Sequence, residues 1–147
     1  MQQPPAGWPR ITPAVYYEDP RAAIDWLCGA FGFEVRLKVE GDGGRIEHAE
    51  LQFGDGLIMV GAANTRQRAK DHWQANHASP KNTGKNTQSL AVFVDDVDAH
   101  SRRAVGAGAE IFRDLRTENY GDEYWSDRIY GALDLEGHQW WFMQRLR

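Results

Sequence analysis

The sequence has few of the features that mark secreted, membrane-spanning or nucleic-acid-binding proteins. Its 147 residues include one cysteine, Cys28, so a disulfide framework within the chain is excluded. No apolar run approaches the roughly 20 residues that a membrane-spanning helix needs. Residues 1–9 contain neither the charged segment nor the apolar segment of a signal peptide. These absences predict a cytoplasmic protein with no membrane partner.

Positive charge is also scarce. The chain has 17 Lys and Arg against 21 Asp and Glu, which gives a net charge of −4. Phosphate binding requires clustered Lys and Arg, and the only basic run, residues 66–70, is followed by Asp71 and has no interleaved aromatic residues. We interpret that run as a solvated loop surface and expect no nucleic-acid partner.

What the chain does contain is an internal repeat. Residues 13–19 (PAVYYED) resemble residues 90–96 (LAVFVDD), with Ala14 matching Ala91. Further on, residues 49–53 match residues 131–135 at a spacing of 82, because a loop near position 120 is longer. A duplicated chain commonly binds its ligand where the copies face each other, so the repeat also indicates where to look for a site.

Each copy is predicted to fold as a βαβββ module. In the first copy, strands are expected at 11–17, 33–39, 45–53 and 57–60, with a helix that begins at Asp19-Pro20 and ends at Gly32. In the second copy, strands are expected at 89–94, 110–114, 128–135 and 139–144, with a helix at 97–105. The length and the 41% hydrophobic content fit one globular domain.

Four segments follow from this assignment. Residues 1–10 form a flexible N-terminal arm, 11–63 the first module, 64–87 a polar connection and 88–147 the second module. A connection of this length is usually functional or flexible. Two interpretations remain open for it: a solvated linker, or a lid that carries Trp73 over a ligand cleft.

Alternation along the strands predicts which side chains face the helices. In the third strand Ala49, Leu51 and Phe53 would face the helix, while His48, Glu50 and Gln52 would lie on the opposite face. The matching strand of the second copy also has side chains that alternate between two faces. It would direct Leu133 and Leu135 to the helix, and Tyr130, Ala132 and Asp134 to the opposite face.

Two motifs carry a family resemblance. The segments 93–97 (FVDDV) and 134–141 (DLEGHQWW), together with the paired modules, resemble the vicinal oxygen chelate superfamily. This superfamily contains glyoxalase I, extradiol dioxygenases, fosfomycin-resistance enzymes and bleomycin-resistance binding proteins. The resemblance implies an α+β fold in which two βαβββ modules form paired curved mixed sheets around a cleft, with the helices on the outside. It does not fix the activity.

The metal site implied by the resemblance does not transfer to this sequence. Metal-using members take ligands from the start of each module's first strand and from its last strand. Those positions correspond here to Thr12, Met59, Ser89 and Trp141. None is a good ligand for a hard or borderline cation. We therefore expect no metal and no cofactor, and predict a homodimer that binds a small molecule in a cleft, as the metal-free bleomycin-resistance proteins do.

Aromatic side chains complete the predicted cleft. Trp140 and Trp141 are neighbours on one strand, so one should enter the core and the other, Trp141, should face the cleft. Tyr130 is expected on the cleft side. Tyr124 and Trp125, in the loop before it, either line the site or pack at a dimer interface.

His48 and Glu50 support an alternative function. At i and i+2 on one strand, their side chains share a face and could act as an acid–base pair. The chain would then be a lyase or an isomerase/dioxygenase-type enzyme of the same superfamily, acting on a small oxygenated substrate. A solvated pair on a strand surface is the plainer interpretation, and a third possibility is an accessory protein whose cleft its own side chains fill. The sequence does not decide whether the protein is an enzyme.

Overall fold

The architecture consists of two four-stranded mixed sheets with helices packed on them, as seen in a computed structural model that describes residues 2–63 and 76–147. The first sheet contains β1 (Ala14–Tyr17), β2 (Glu34–Glu40), β3 (Ile46–Phe53) and β4 (Gly56–Ala62), in the order β1-β4-β3-β2. The second contains β5 (Ser89–Phe93), β6 (Glu110–Asn119), β7 (Ser126–Leu133) and β8 (Gln139–Arg145), in the order β5-β8-β7-β6. The predicted α+β fold of two βαβββ modules is confirmed, and the sheets do not close into a barrel.

The helices begin where the sequence predicts. Helix α1 (Pro20–Trp26) continues as a π-helical turn over Leu27–Phe31, α2 (Pro80–Thr83) is a short helix between the modules, and α3 (Val97–Gly106) belongs to the second module. The carboxylate of Asp19 caps α1 by accepting the backbone N–H of Ala22 at 3.1 Å. Asp96 caps α3 in the same way, through Ala99 at 2.9 Å. Local capping chemistry therefore determines both starting points.

The hairpin of β6 and β7 is longer than predicted. The sequence indicated a strand that ends at residue 114, whereas β6 continues to Asn119 and pairs with β7 as far as Asn119–Ser126. Residues 116–119 (RTEN) are polar, but a two-stranded ribbon with exposed faces buries little and accepts polar side chains. Tyr124 and Trp125 lie in the turn at its end.

Strand pairing corrects the alignment of the two modules by one residue. Ala14 pairs with Met59 and Ala91 with Trp141, so the first and last strands of both modules have the same register. On the neighbouring strands Glu50 pairs with Met59, whereas the residue paired with Trp141 is Gly131. Glu50 therefore corresponds to Gly131 at a spacing of 81 and not 82, because the chain from Gly131 to its partner Trp141 is one residue longer than the chain from Glu50 to its partner Met59.

This slip makes the predicted orientation of β7 wrong. Tyr130 and Ala132 are fully buried on the helix side, and Leu133 lies on the opposite face. Leu135, expected in the core, is in the turn and 40% exposed. A shift of one residue along a strand moves every side chain to the other face of the sheet. Tyr130 is consequently a core residue and not a residue of the outer surface.

The two modules share one core on their helix-bearing sides. The Phe31 ring lies 4.6 Å from the Phe142 ring and 5.6 Å from Trp140, between centroids, and so joins the end of α1 to the second sheet. His100 on α3 links the same elements. Its Nε2–H donates to the carbonyl of Phe31 at 2.8 Å, and its Nδ1 accepts the hydroxyl hydrogen of Tyr130 at 2.7 Å. The opposite faces of the two sheets therefore point away from the shared core.

A second contact joins the two helices. The guanidinium of Arg103 on α3 donates to the carbonyls of Gly29 at 2.8 Å and Cys28 at 3.0 Å, at the C-terminal end of the first helical segment. Helix ends carry unpaired carbonyls and negative partial charge, which a cation satisfies.

Burial raises the pKa of the half-buried Cys28 thiol, which favours the unreactive protonated form.

Among the helices in the described part of the chain, none has both the length and the apolar content needed to span a bilayer.

Candidate functional site

Each sheet has an outer face, defined here as the face opposite its helix. Because paired residues in adjacent strands lie on the same face, the register identifies the members. The outer face of the first sheet contains Ala14, Tyr16, Leu37, Val39, His48, Glu50, Met59 and Gly61. The outer face of the second contains Ala91, Phe93, Ile129, Gly131, Trp141 and Met143, with Phe112 packed over Gly131.

Both outer faces expose apolar side chains. On β2, Leu37 and Val39 are each 43% exposed, and Phe93 on β5 is 55% exposed. Grouped apolar side chains on one face of a sheet are typical of a surface covered by a ligand or by another protein. The core-facing residues on the same strands, such as Val60 and Trp140, are buried at 2% and 0%.

The outer face of the second sheet is built from aromatic rings. The rings of Phe112 and Trp141 pack edge to face, with their centroids 5.0 Å apart and their planes at 85°. Edge-to-face packing of this kind is a favourable arrangement of two rings. Trp141 is half-buried on the side predicted for it, and Trp140 lies in the core.

His48 and Glu50 meet on the outer face of β3. His48 Nε2 lies 2.9 Å from Glu50 Oε1, and Arg36 Nε lies 3.6 Å from Glu50 Oε2. Glu50 is only 5% exposed, whereas the His48 side chain is 40% exposed. The pair is therefore not a solvated surface pair: one buried carboxylate holds a partly exposed imidazole by a hydrogen bond to Nε2–H. Such a histidine presents its other ring nitrogen, Nδ1, for proton transfer or ligand binding.

Sequence reasoning missed a contact between the N-terminal arm and this cluster. Arg36 Nη1 donates to the carbonyl of Gly7 at 2.8 Å, and its guanidinium lies 5.5 Å from the centre of the Trp8 ring. A cavity of about 430 Å³ lies between the arm and residues 52–57 of the β3–β4 hairpin. An isolated tryptophan among prolines, Pro4, Pro5 and Pro9, is the only sequence signal that pointed to a packed arm.

The described end of the connection, from residue 76 onwards, packs against the other end of the first outer face. His77 stacks on Tyr16, with ring centroids 3.7 Å apart and an angle of 21°. Tyr16 also occupies the space beside Gly61, where a Cβ would approach its ring to within 2.8 Å. A cavity of about 280 Å³ lies beside these rings. Trp73, predicted to act from this connection, falls outside the described residues.

The four positions implied for a metal are distributed over both modules. Thr12 precedes β1 with its hydroxyl 3.5 Å from the carbonyl of Pro9, and Ser89 is the exposed first residue of β5. Met59 and Trp141 lie on the outer faces of β4 and β8. Hydroxyl, thioether and indole groups do not make a divalent-metal site. Within residues 2–63 and 76–147, no three His, Cys, Asp or Glu side chains come together as such a site would need. The donor set does not fit the family's metal.

The predicted aromatic pair at the β6–β7 turn forms its own cluster. Tyr124 and Trp125 are 63% and 42% exposed and lie edge-to-face at 6.0 Å. The guanidinium of Arg145, near the end of β8, lies 5.1 Å from the centre of the Trp125 ring and 5.3 Å from that of Phe93. Arg145 thus connects the hairpin turn to the outer face of the second sheet.

The motif at 134–141 has a structural role. The buried carboxylate of Asp134 accepts hydrogen bonds from Tyr17 Oη at 2.6 Å, from Trp140 Nε1 at 3.0 Å and from two backbone N–H groups of its own turn. Burial and the charge of Asp134 raise the pKa of Tyr17 well above its ordinary value. The hydrogen bond from Tyr17 to Asp134 thereby holds the turn of the second module against β1 of the first.

Glu136 locks the same turn to the start of α1. Its carboxylate accepts the backbone N–H groups of Glu18 at 2.7 Å and Asp19 at 3.0 Å, and the hydroxyl hydrogen of Ser79 at 2.6 Å. An anion at a helix N-terminus is stabilised by the helix dipole. His138 completes the contact, since its Nε2–H donates to the carbonyl of Tyr16 at 2.7 Å.

Known proteins resemble the chain over almost all of its length. The uncharacterized protein Mb0911c of Mycobacterium bovis is 27% identical over 139 residues, which is 95% of this chain and 85% of that protein. The crystal structure of TioX from Micromonospora sp. ML1 is 32% identical, has a TM-score of 0.69, and is matched over 92% of this chain and 95% of that one. A glyoxalase/bleomycin resistance protein/dioxygenase family enzyme from Burkholderia phytofirmans shares the fold, with a TM-score of 0.65 at 19% identity over 90% and 95% of the two chains.

The sequence pattern of one family accounts for both modules together. The family is described as the Glyoxalase/Bleomycin resistance protein/Dioxygenase superfamily. Its pattern matches residues 10–142, from the segment before β1 into β8. The motif at 134–141 and both βαβββ modules, except for the last residues of β8, lie inside this range. The chain therefore belongs to the glyoxalase/bleomycin resistance protein/dioxygenase superfamily.

Proposed function

We propose that this protein is a homodimer that binds a small, largely apolar molecule without a metal. Each cleft would combine the outer face of the first sheet of one chain with the outer face of the second sheet of its partner. The observation that carries the proposal is the exposure of apolar side chains on both outer faces, while the helix-bearing faces are joined in one core. The shared core holds the two outer faces of one chain apart, which supports a cleft formed between two chains.

The two outer faces complement each other in composition. The first offers aliphatic side chains, Leu37 and Val39, around the His48–Glu50 pair. The second offers the rings of Phe93, Phe112 and Trp141. Ligand sites are typically apolar and aromatic with a few polar groups that fix orientation, and the combined set has that character.

The residues at the transferred metal positions support a metal-free site. With Thr12, Met59, Ser89 and Trp141 there, contacts to a ligand would be made by a hydroxyl, a thioether and an aromatic ring. Such groups provide packing and weak hydrogen bonds, which suits capture of an unmodified molecule.

Sedimentation velocity tests the assembly. We expect a dimer for the natural sequence and monomers for Leu37→Asp and Phe93→Asp, because a charge on either outer face would be buried without a partner. Val105→Asp is the matched control, since Val105 is 53% exposed on α3 and away from both outer faces. A natural protein that sediments as a monomer at all concentrations contradicts the shared cleft.

Thermal unfolding in the presence of aromatic antibiotics and small carbonyl compounds tests binding. A ligand well above its dissociation constant raises the unfolding midpoint by mass action. We expect at least one aromatic compound to do so, and the shift to be lost in Trp141→Ala. A full panel without any shift would favour an accessory protein.

A second candidate function follows from the 2.9 Å contact between His48 and Glu50. In that case the pair supplies acid–base chemistry to a lyase or isomerase/dioxygenase-type reaction on a small oxygenated substrate. His48→Gln should then abolish turnover while the circular dichroism spectrum stays unchanged. Turnover retained by this variant rejects the candidate.

A further inference from the structure

Glu50 is a buried carboxylate whose two oxygens have unequal partners: one accepts a hydrogen bond, and the other has only an ion pair among the described residues. Its Oε1 is held by His48 at 2.9 Å, but Oε2 lies 3.6 Å from Arg36 Nε, beyond hydrogen-bonding distance. Among residues 2–63 and 76–147, no group donates a hydrogen bond to Oε2. Burying an acceptor without a donor costs free energy, more so for a charged group.

The fold does not require a carboxylate at this position. Glu50 lies in a row with Ala14, Met59 and Leu37 across the first sheet, and all three neighbours are apolar. The corresponding residue of the second module is Gly131, whose outer side is filled by the Phe112 ring. Two modules with the same fold thus place an apolar ring and a carboxylate at the same point.

Arg36 does not neutralise the carboxylate fully. Its guanidinium divides its contacts between Glu50, the carbonyl of Gly7 and the ring of Trp8, and its side chain is 28% exposed. The arginine is therefore drawn towards the N-terminal arm. Glu50 Oε2 therefore has a longer and weaker contact than Oε1, beside apolar neighbours in its row of the sheet.

We propose that Glu50 Oε2 recognises a positively charged nitrogen on the ligand, so that the cleft selects aromatic amines over neutral and acidic analogues. This inference rests on the proposed function, because the ligand occupies the same cleft. A protonated amine donates a charge-assisted hydrogen bond to Oε2, the strongest type available to a carboxylate. The aromatic part of the molecule then packs on the rings that the second sheet provides.

Three probes with one ring system test the selection: 2-naphthylmethylamine, which is protonated at neutral pH, 2-naphthalenemethanol and 2-naphthoic acid. Isothermal titration of the full-length dimer should give the tightest binding for the amine and the weakest for the acid. Glu50→Gln should weaken amine binding by about tenfold or more, since a hydrogen bond between two charged groups is stronger than one between neutral groups. Binding of the alcohol should change by less than about threefold.

Asp25→Asn is the control for net charge, because Asp25 is exposed on α1. It should leave all three affinities unchanged. Glu50→Met, an unbranched apolar replacement, is the second variant should the glutamine protein fold poorly. Loss of amine selectivity in either variant supports the proposal, while an unchanged order of the three probes in Glu50→Gln overturns it and leaves small-molecule binding intact. If none of the probes binds the natural protein, both proposals fall.

Unfolding of the ligand-free protein gives an independent readout. A carboxylate kept for binding is a strained feature of the empty site, so Glu50→Met should leave the melting temperature unchanged or raise it. A drop of several degrees would assign Glu50 a structural ion pair and overturn the proposal.

Discussion

Phe112 lies so close to Gly131 that no side chain fits between them: a Cβ on Gly131 would come within 2.5 Å of the ring. Gly131 is required by this contact and not by its backbone conformation, since its φ is not positive. The same ring meets Trp141 at 5.0 Å. A single glycine therefore sets the shape of the aromatic outer face of the second sheet.

Gly131→Ala should displace the Phe112 ring and disturb the Phe112–Trp141 pair. We expect a loss of about 1–3 kcal/mol in the free energy of unfolding, as is usual when a methyl group is forced into a packed site. Urea denaturation measures the loss of stability, and near-ultraviolet circular dichroism of the aromatic residues reports the changed ring packing. Gly106→Ala is the control, because no atom lies within 4 Å of a Cβ there. In the background of Phe112→Ala the cost of Gly131→Ala should disappear, and a cost that persists contradicts the contact.

Replacing His100 should reduce the loss of stability in acid. Burial lowers the pKa of His100, so the folded protein binds this proton less readily than the unfolded chain, whose ordinary value is about 6.5. The neutral form stabilises the fold fully above that value, and its contribution is lost as the pH falls below it. The slope from this one group reaches at most about 1.4 kcal/mol per pH unit.

The free energy of unfolding should change less with pH for His100→Gln than for the natural protein. Urea denaturation from about pH 7.5 to about pH 5 measures this, because that range spans the ordinary pKa of histidine. His77→Gln is the comparison, because desolvation also lowers the pKa of His77, but the residue is more exposed. Its effect should be smaller. Identical slopes for the natural protein and His100→Gln would show that His100 is not responsible.

Asp134→Ala should be among the most destabilising single changes. It leaves Tyr17 Oη, Trp140 Nε1 and two backbone N–H groups without their acceptor, and the first two are fully buried. We expect a loss of about 3 kcal/mol or more, and about 1–2 kcal/mol for Tyr17→Phe, which removes only one donor. Asp95→Ala, at an exposed site before α3, should change the unfolding free energy by less than about 0.5 kcal/mol. Equal effects of Asp134→Ala and Asp95→Ala would refute the structural role of the motif.

Divalent metals should not bind at the outer faces. Protein purified without an affinity tag or chelator should contain far less than one equivalent of nickel, zinc, manganese or iron, and added metal should not raise the melting temperature. Binding to the native state would raise it by mass action. Near-stoichiometric metal that is lost on replacing a residue of the outer faces would overturn the metal-free proposal.

The sequence predicted local structure well because local signals carry it. Asp19 and Asp96 are capping residues whose partners lie three positions away, so the helix starts follow from short segments. The positions of the strands along each module also followed from alternation and from the glycine-rich turns. The outer-face positions of Met59 and Trp141 are those expected from the repeat.

The predictions that are wrong or missing concern side chains whose position depends on residues outside their own strand. The predicted face of Tyr130 is wrong because the chain from Gly131 to Trp141 is one residue longer than the chain from Glu50 to Met59, and alternation has no signal that detects it. The burial of Glu50 depends on Arg36 from the neighbouring strand, and the position of Arg36 depends on the N-terminal arm. Pairing over such distances is not encoded in a short sequence window.

By itself, the sequence determined the two βαβββ modules, their helix starts and the absence of metal ligands at the family positions, since capping, alternation and donor chemistry are properties of individual residues. Only the tertiary structure decided that the helix-bearing faces form one core around Phe31, His100 and Trp140, and that the outer faces remain exposed. Which apolar faces meet depends on their total complementarity, and each face is assembled from strands that are far apart in the chain. For the same reason, only the fold shows that Glu50 is buried and that, among the described residues, only one of its oxygens accepts a hydrogen bond.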